Sequence, residues 1–276
     1  MSVSVTWLGQ SGVVLEAEGQ AVAIDPFLSD YPGRGHRAPL GPEQLGGVTA
    51  VLVSHEHADH LDLPACRELA VRGSNLRFLL PAPLTEMAVR AGLPRTRLLG
   101  MQPGDEYSLG PVHVHAVPAC HGVHVVDAYN FGEQLSHGAV RYLGYVVTLG
   151  GLSLYHAGDT IPFSDQVRTL RALHVDVALL PINGRDADRE ACDLVGNLNG
   201  SEAASLAADI GAQTVIPLHY ELMTGNLASV GEFVEQVQRT QPTLSVVVPA
   251  VGRQFVLDRP GHLTTIESES NAYHWA

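Results

Sequence analysis

The run His55-Glu56-His57-Ala58-Asp59-His60 places four metal-ligand side chains within six positions. Side chains two apart on an extended loop point the same way, so His55 and His57 can clasp one ion. Asp59 and His60, rounding into a following helix, then face a second ion, with nitrogen and oxygen ligands that suit a hydrolytic centre. The plainer alternative is a polar strand-to-helix turn in which Asp59 only caps the helix. So dense a run of ligand types argues against it. A zinc-protease helix needs its second histidine four residues after the first, where this chain has Asp59. A serine nucleophile elbow needs Gly-x-Ser-x-Gly, and the nearest candidate, Gly9-Gln10-Ser11-Gly12, has the wrong spacing.

The elements that must position this run are legible around it. Thr49 to Ser54 is an apolar strand leading straight into the histidines, and Leu63 to Arg72 has helical periodicity, so the run sits at a strand-to-helix junction. Before it, Val3 to Leu8, Val13 to Ala17 and Ala21 to Ile24 read as a meander of strands. After it, Arg77 to Leu80, Val112 to Val117, Tyr142 to Leu149, Leu152 to Tyr155, Val175 to Leu180, Thr214 to Pro217 and Ser245 to Val248 read as further strands. Helices are predicted over Ser164 to Ala172, Ser201 to Ile210 and Val230 to Arg239; the second opens with Asn199-Gly200-Ser201 and an early Glu202. Strands mixed with helices in both halves imply two sheets covered by helices. Residues 1–257 are taken as one domain with pseudo-halves of about 1–130 and 140–257, and 258–276 as a loosely held polar tail.

Composition narrows the function. The formal net charge is −13, from 29 acidic and 16 basic residues, which opposes binding to nucleic acid without a basic cluster, and no such cluster is visible. The chain has no lysine, which excludes Schiff-base chemistry and a phosphate-binding P-loop. Three widely spaced cysteines, Cys66, Cys120 and Cys192, give neither a disulfide framework nor a metal clip. With no signal-like N-terminus, membrane-length apolar run or basic amphipathic helix, a cytoplasmic protein without membrane attachment is expected.

The complete pattern H-x-H-x-D-H resembles the signature of the metallo-β-lactamase superfamily. That family's remaining ligands have counterparts in order: His121 in Pro118-Ala119-Cys120-His121-Gly122, Asp159 in His156-Ala157-Gly158-Asp159-Thr160 and His219 in Pro217-Leu218-His219-Tyr220. Asp25, in Ile24-Asp25-Pro26, matches the aspartate that supports the site from behind. The resemblance implies an α+β fold, a four-layer αββα sandwich of two sheets with helices on both outer faces. It further implies two divalent ions, zinc or manganese, with His55, His57 and His121 on one, Asp59, His60 and His219 on the other, and Asp159 bridging. A water between the ions, its pKa lowered, would be the nucleophile, and Asp59 or a metal-bound group would pass a proton to the leaving oxygen.

Several segments resemble the branch containing the L-ascorbate-6-phosphate lactonases: Trp7 to Gly12, Ile24 to Ser29, Tyr155 to Thr160, Leu180-Pro181-Ile182-Asn183-Gly184 and Gly196 to Gly200. The leading expectation is a lactonase or ester hydrolase acting on a small sugar-acid-like molecule, phosphorylated or not. Asn183, Arg185 and Arg189 are the substrate-binding candidates, the arginines as anion binders unless they pair with Asp186, Asp188 and Glu190. His124, His137 and His156 are weaker candidates for the same role, and Tyr129 to Arg141 reads as a loop at the pocket rim. The alternatives are a phosphodiesterase, of the N-acyl-phosphatidylethanolamine phospholipase D or nuclease kind, and a metal-binding scaffold without catalysis. The branch is also compatible with a homo-oligomer.

Overall fold

In a computed structural model, described for residues 2–73, 75–122, 124, 140–258 and 262–264, the chain opens as a meander of β1 (Ser2–Gly9), β2 (Gly12–Ala17) and β3 (Gln20–Ile24). Then follow β4 (Ala50–Leu52), α1 (Leu63–Arg72), β5 (Arg77–Pro81), α2 (Thr85–Arg90) and β6 (Leu98–Met101). Next come β7 (Glu106–Leu109), β8 (Val112–Pro118), β9 (Leu143–Leu149), β10 (Leu152–His156), α3 (Gln166–Ala172), β11 (Val177–Pro181), α4 (Ala187–Ala191) and α5 (Gly200–Asp209). The chain closes with β12 (Thr214–Leu218), α6 (Val230–Thr240), β13 (Ser245–Val246), β14 (Gln254–Asp258) and β15 (His262–Thr264).

These strands form two sheets, ordered β15-β14-β1-β2-β3-β4-β5-β6 and β13-β12-β11-β10-β9-β8-β7. Each begins antiparallel and turns parallel, the first from β3 to β6 and the second from β10 to β13. Parallel neighbours need crossovers, and α1, α2, α3, α5 and α6 provide them. Period-two alternation assigns the two faces of the first sheet. Val22, Ile24, Ala50, Leu52 and Leu79 point to the core shared with the second sheet, while Ala21, Ala23, Val51, Phe78 and Leu80 meet Ala65, Cys66 and Leu69 of α1 on the outer face. On the far side, Ala203, Ala207, Phe233 and Val237 of α5 and α6 cover β11 and β12, whose residues are all buried. The result is helix, sheet, sheet, helix: the four-layer αββα sandwich. Each fully buried Leu, Val or Phe in it contributes about 1.5–3 kcal/mol.

The two sheets do not divide the chain near residues 130–140 as the pattern suggested. β7 and β8 already belong to the second sheet, and β14 returns to the first, pairing Gln254 with Thr6 and Asp258 with Ser2. Nor is 258–276 wholly a tail, since His262–Thr264 pairs with β14. An edge strand is held by backbone hydrogen bonds on one side, and these leave no hydrophobic signature. The half-buried strands β6 and β7 and the short helices α2 and α4 escaped the pattern for the same lack of a strong apolar period. No helix of the described residues is long and apolar enough to cross a membrane.

Candidate metal centre

Every predicted ligand stands just beyond the C-terminal end of a strand. The run 55–60 follows β4, His121 follows β8, Asp159 follows β10 and His219 follows β12. β4 and β8 lie in different sheets, and the backbone bond from Leu143 N to Ser54 O (2.9 Å) ties the sheets together at this end. Gly158, with φ +60°, makes the join close enough: a Cβ there would stand 2.7 Å from Ser54 Cβ and 2.8 Å from Leu143 O. Asp62, not Asp59, caps α1, accepting from Ala65 N (3.1 Å) while also holding Leu28 N and Ser29 N. Asp59 is thereby released from the capping role.

The seven side chains converge in two groups, His55, His57, His121 and Asp159 in one and Asp59, His60 and His219 in the other, with the ligand atoms of each group within 4.8 Å of one another. His55 Nε2 lies 2.8 Å and His121 Nε2 3.3 Å from His57 Nδ1. Asp159 reaches His60 Nε2 (3.4 Å), His219 Nε2 (3.4 Å) and His121 Nε2 (3.7 Å), so it stands between the groups. Hydrogen bonds from behind set the tautomers. Asp25 accepts from His60 Nδ1 (2.7 Å), from Ser54 N (2.7 Å) and from Ser54 Oγ (2.6 Å). Ser54 Oγ in turn takes His55 Nδ1 (2.9 Å), and Gly196 O takes His121 Nδ1 (3.3 Å). With each Nδ1 donating outward, the Nε2 lone pairs of His55, His60 and His121 point inward.

The electrostatics fit cations at this spot. Burial holds His55, His57 and His121 neutral, the last down to about 4, so they face one another with bare lone pairs. Burial also works against the His60 and His219 imidazoliums, but the carboxylates of Asp159 and Asp59 outweigh it and raise both, with Asp25 assisting at His60. Asp159, despite its burial, is held ionised by His219 and His60. Two buried ligand atoms, His60 Nε2 and Asp159 Oδ1, have no hydrogen-bond partner. Converging lone pairs, carboxylates and orphaned polar atoms are what divalent ions resolve. The residues present therefore fit two such ions.

Above this floor opens a cavity of about 480 Å³ whose wall includes Tyr31, Asn183, Arg189, Leu194, Asn197, Met223 and Asn226. Asn183 and Arg189 are thus at the site. Arg189 donates to Asp186 (2.5 Å) and to Asn226 Oδ1 (2.7 Å), Asn183 Nδ2 donates to the same oxygen (2.9 Å), and Asn197 Nδ2 donates to Asn183 Oδ1 (2.9 Å). Arg185 is a correction to the sequence reading. It does not line the cavity; its guanidinium pairs bidentately with Glu202, 2.6 Å at each end, bracing the capping box of α5. The two residues lie 17 apart, so local charge pattern gave no sign of the pairing. His156 is structural, its Nε2 donating to Ser11 O (2.7 Å), and His124 pairs with Asp193 at the surface. His137 and most of the 129–141 loop lie outside the described residues, although Arg141 forms an ion pair with Glu56.

Gln10 is the site residue that sequence reasoning missed. Its amide Nε2 lies 2.7 Å from Asp59 Oδ2 and 2.9 Å from His219 Nε2. The signal available was a polar residue between two glycines in a turn otherwise dismissed as a failed nucleophile elbow.

Residues 20–220 match the beta-lactamase superfamily domain. A "UPF0173 metal-dependent hydrolase" of Methanoregula boonei is 32% identical over 237 residues, covering 86% of this chain and 90% of that one. Another so named, from Myxococcus xanthus, is 30% identical over 92% of this chain and 83% of its own length. Among solved structures, Igni18, a metallo hydrolase of Ignicoccus hospitalis, superposes with a TM-score of 0.72 at 21% identity, covering 94% of this chain and 99% of that one. The ligand-bearing strand ends, the four-layer fold and these likenesses agree: the chain belongs to the beta-lactamase superfamily, in the family of UPF0173 metal-dependent hydrolases.

Proposed function

We propose that the chain is a two-ion lactonase or ester hydrolase acting on a small, sugar-acid-like molecule. The observation that carries this reading is the placement of seven ligand side chains, all from strand ends, on the floor of an open cavity sized for a small molecule. Zinc or manganese suits the nitrogen and oxygen donors. These residues would hold two divalent ions, which would supply a water of lowered pKa and polarisation of the substrate's acyl oxygen.

The chain's own residues do the rest. His55, His57, His121 and Asp159 would hold one ion and Asp59, His60 and His219 the other, and Asp159 faces both groups. Asp59, with 21% of its side chain exposed, lines the cavity and is placed to take the proton that the attacking water releases and hand it to the leaving oxygen. Tyr31, Leu194 and Met223 offer the carbon skeleton an apolar wall, and the ring of amides at Asn183, Asn197 and Asn226 offers its hydroxyls a polar one. A phosphorylated substrate is the weaker form of the proposal, because Arg189 is already engaged by Asp186 and Asn226 and Arg185 by Glu202. A polynucleotide is weaker still, given the net charge of −13.

The test is a panel of sugar lactones, p-nitrophenyl esters and bis-p-nitrophenyl phosphate with zinc- or manganese-loaded protein. Lactone or ester turnover that His57→Ala abolishes, with circular dichroism unchanged, is expected. Faster turnover of the phosphodiester than of any lactone or ester overturns the reading in favour of a phosphodiesterase.

A further inference from the structure

Seven non-glycine residues among those described have positive φ, and three of them meet at the metal centre: Gln10 (+53°), Asp25 (+46°) and His219 (+59°). A non-glycine side chain in this region is strained and persists only where its surroundings over-determine it. For Asp25 and His219 the reason is on the page, since one orients His60 and the other faces the ions. Gln10 has no role in the hydrolytic machinery described above, and its surroundings are no less fixed. Its N–H donates to Glu221 Oε1 (3.0 Å), and its carbonyl accepts from Trp7 Nε1 (3.1 Å) and from His219 N (3.0 Å). Its side chain is buried and directed onto Asp59 and His219.

The chemistry of those two neighbours fixes which end of the amide faces them. A carboxylate at 2.7 Å accepts only, so the NH2 end must point to Asp59 Oδ2. The same nitrogen lies 2.9 Å from His219 Nε2 and 3.4 Å from His219 Nδ1, over the ring rather than along the lone pair, so it buttresses the imidazole and leaves Nε2 free for a metal. Asp59 needs this support more than the other ligands. It stands in the turn between β4 and α1, is the most exposed carboxylate of the set, and lies 3.4 Å from His219 Nε2 and 3.7 Å from His60 Nε2. Gln10 also holds His219 through the bond from His219 N to its own carbonyl, while its amide lies against the ring.

We propose that Gln10 is a positioning residue that sets the affinity of the Asp59–His60–His219 group for its ion, by holding Asp59 and His219 in ligating geometry. The inference rests on the two-ion reading and deepens it. Outer hydrogen-bond partners of this kind are worth about 10- to 100-fold in metal affinity. No hydrogen bond among the described residues joins Gln10 to the group formed by His55, His57, His121 and Asp159, whose affinity for an ion should therefore be unchanged.

The test is a zinc titration of metal-free protein by calorimetry with a competing chelator, on wild type, Gln10→Met and Gln10→Gly. Methionine keeps the volume without the amide. Glycine removes the side chain while accepting φ +53° without steric strain and keeping all three backbone hydrogen bonds, so it separates ligation from folding. Two ions in wild type, with one binding step unchanged and the other weakened about 10- to 100-fold in both variants, are expected. His121→Ala, striking the other group, should spare the step that the Gln10 variants lose. Two unchanged steps in Gln10→Gly, or an equal loss in both steps, overturn the proposal. A wild-type chain that binds fewer than two ions defeats the two-ion reading itself, and this inference with it.

Discussion

The floor of the site and its wall are built in opposite ways. On the floor, the ligands stand at strand ends, five of the seven buried, and four are braced from behind: His60 by Asp25, His55 by Ser54, His121 by a backbone carbonyl, and His219 by the carbonyl of Gln10. The wall is made of loops, and its polar residues brace one another. Arg189, Asn226, Asn183 and Asn197 form one chain of hydrogen bonds, and Tyr31 and Leu194 stand 46% and 58% exposed. The difference teaches where change is tolerated. A floor fixed by two sheets keeps one chemistry, whereas a wall of loops is free to change the substrate.

Asp159 tests the floor most severely, because it faces both ligand groups. Asp159→Ala is expected to lower zinc content, by elemental analysis, from two ions to one or none. Hydrolysis should fall by more than the roughly 100-fold that loss of an outer partner brings. Two ions retained in this variant would break the picture of a shared carboxylate.

Asp25 tests whether the bracing matters as much as the ligands. Asp25→Ala strands three donors, Ser54 N, Ser54 Oγ and His60 Nδ1, in a fully buried place. A loss of about 3–5 kcal/mol in urea denaturation of the metal-free protein is expected, the cost of breaking a buried charge pair. A variant as stable as wild type would show that the floor is held by its backbone alone.

Acid sharpens the contrast, because protons compete with metal on the floor and not on the wall. Asp159 and Asp59 raise His60 and His219 above the ordinary imidazole range, so both must release protons before binding a metal. Zinc affinity should therefore weaken as pH falls from about 8 towards 6, with the loss already under way above the ordinary imidazole pKa of roughly 6.5. Calorimetric affinities that do not change across that interval would contradict the assignment of those two residues.

The smallest effects separate the two arginines. Arg189→Met removes the anchor of the amide chain and should raise KM by roughly tenfold with kcat little changed. Arg185→Met should leave KM alone and cost about 1 kcal/mol through the capping box of α5. A KM effect at Arg185 larger than that at Arg189 would reverse their placement.

Much of the floor was legible because its ligands come in forms that sequence carries. His55, His57, Asp59 and His60 are adjacent in the chain, and His121, Asp159 and His219 each end an apolar run that reads as a strand. The helix Leu63–Arg72 and the strands around it were legible from the 3.6- and 2-residue periods that burial imposes. The C-terminal return was not: β15 is an edge strand held by backbone hydrogen bonds that no side-chain pattern reports, and β14, between β15 and β1, fully buries only Leu257.

What the sequence determined by itself, then, is the dense run of ligand types at 55–60 and the covered-sheet class, since both depend on residue type and short-range spacing; His121, Asp159 and His219 were named through the resemblance to the metallo-β-lactamase signature. Tertiary structure alone decided that Arg185 faces Glu202 rather than the cavity, that Asp62 relieves Asp59 of capping, and that Gln10 lies 2.7 Å from a ligand 49 positions away. Those outcomes depend on which side chains meet when two sheets close, and a contact between distant residues has no local pattern from which it can be read.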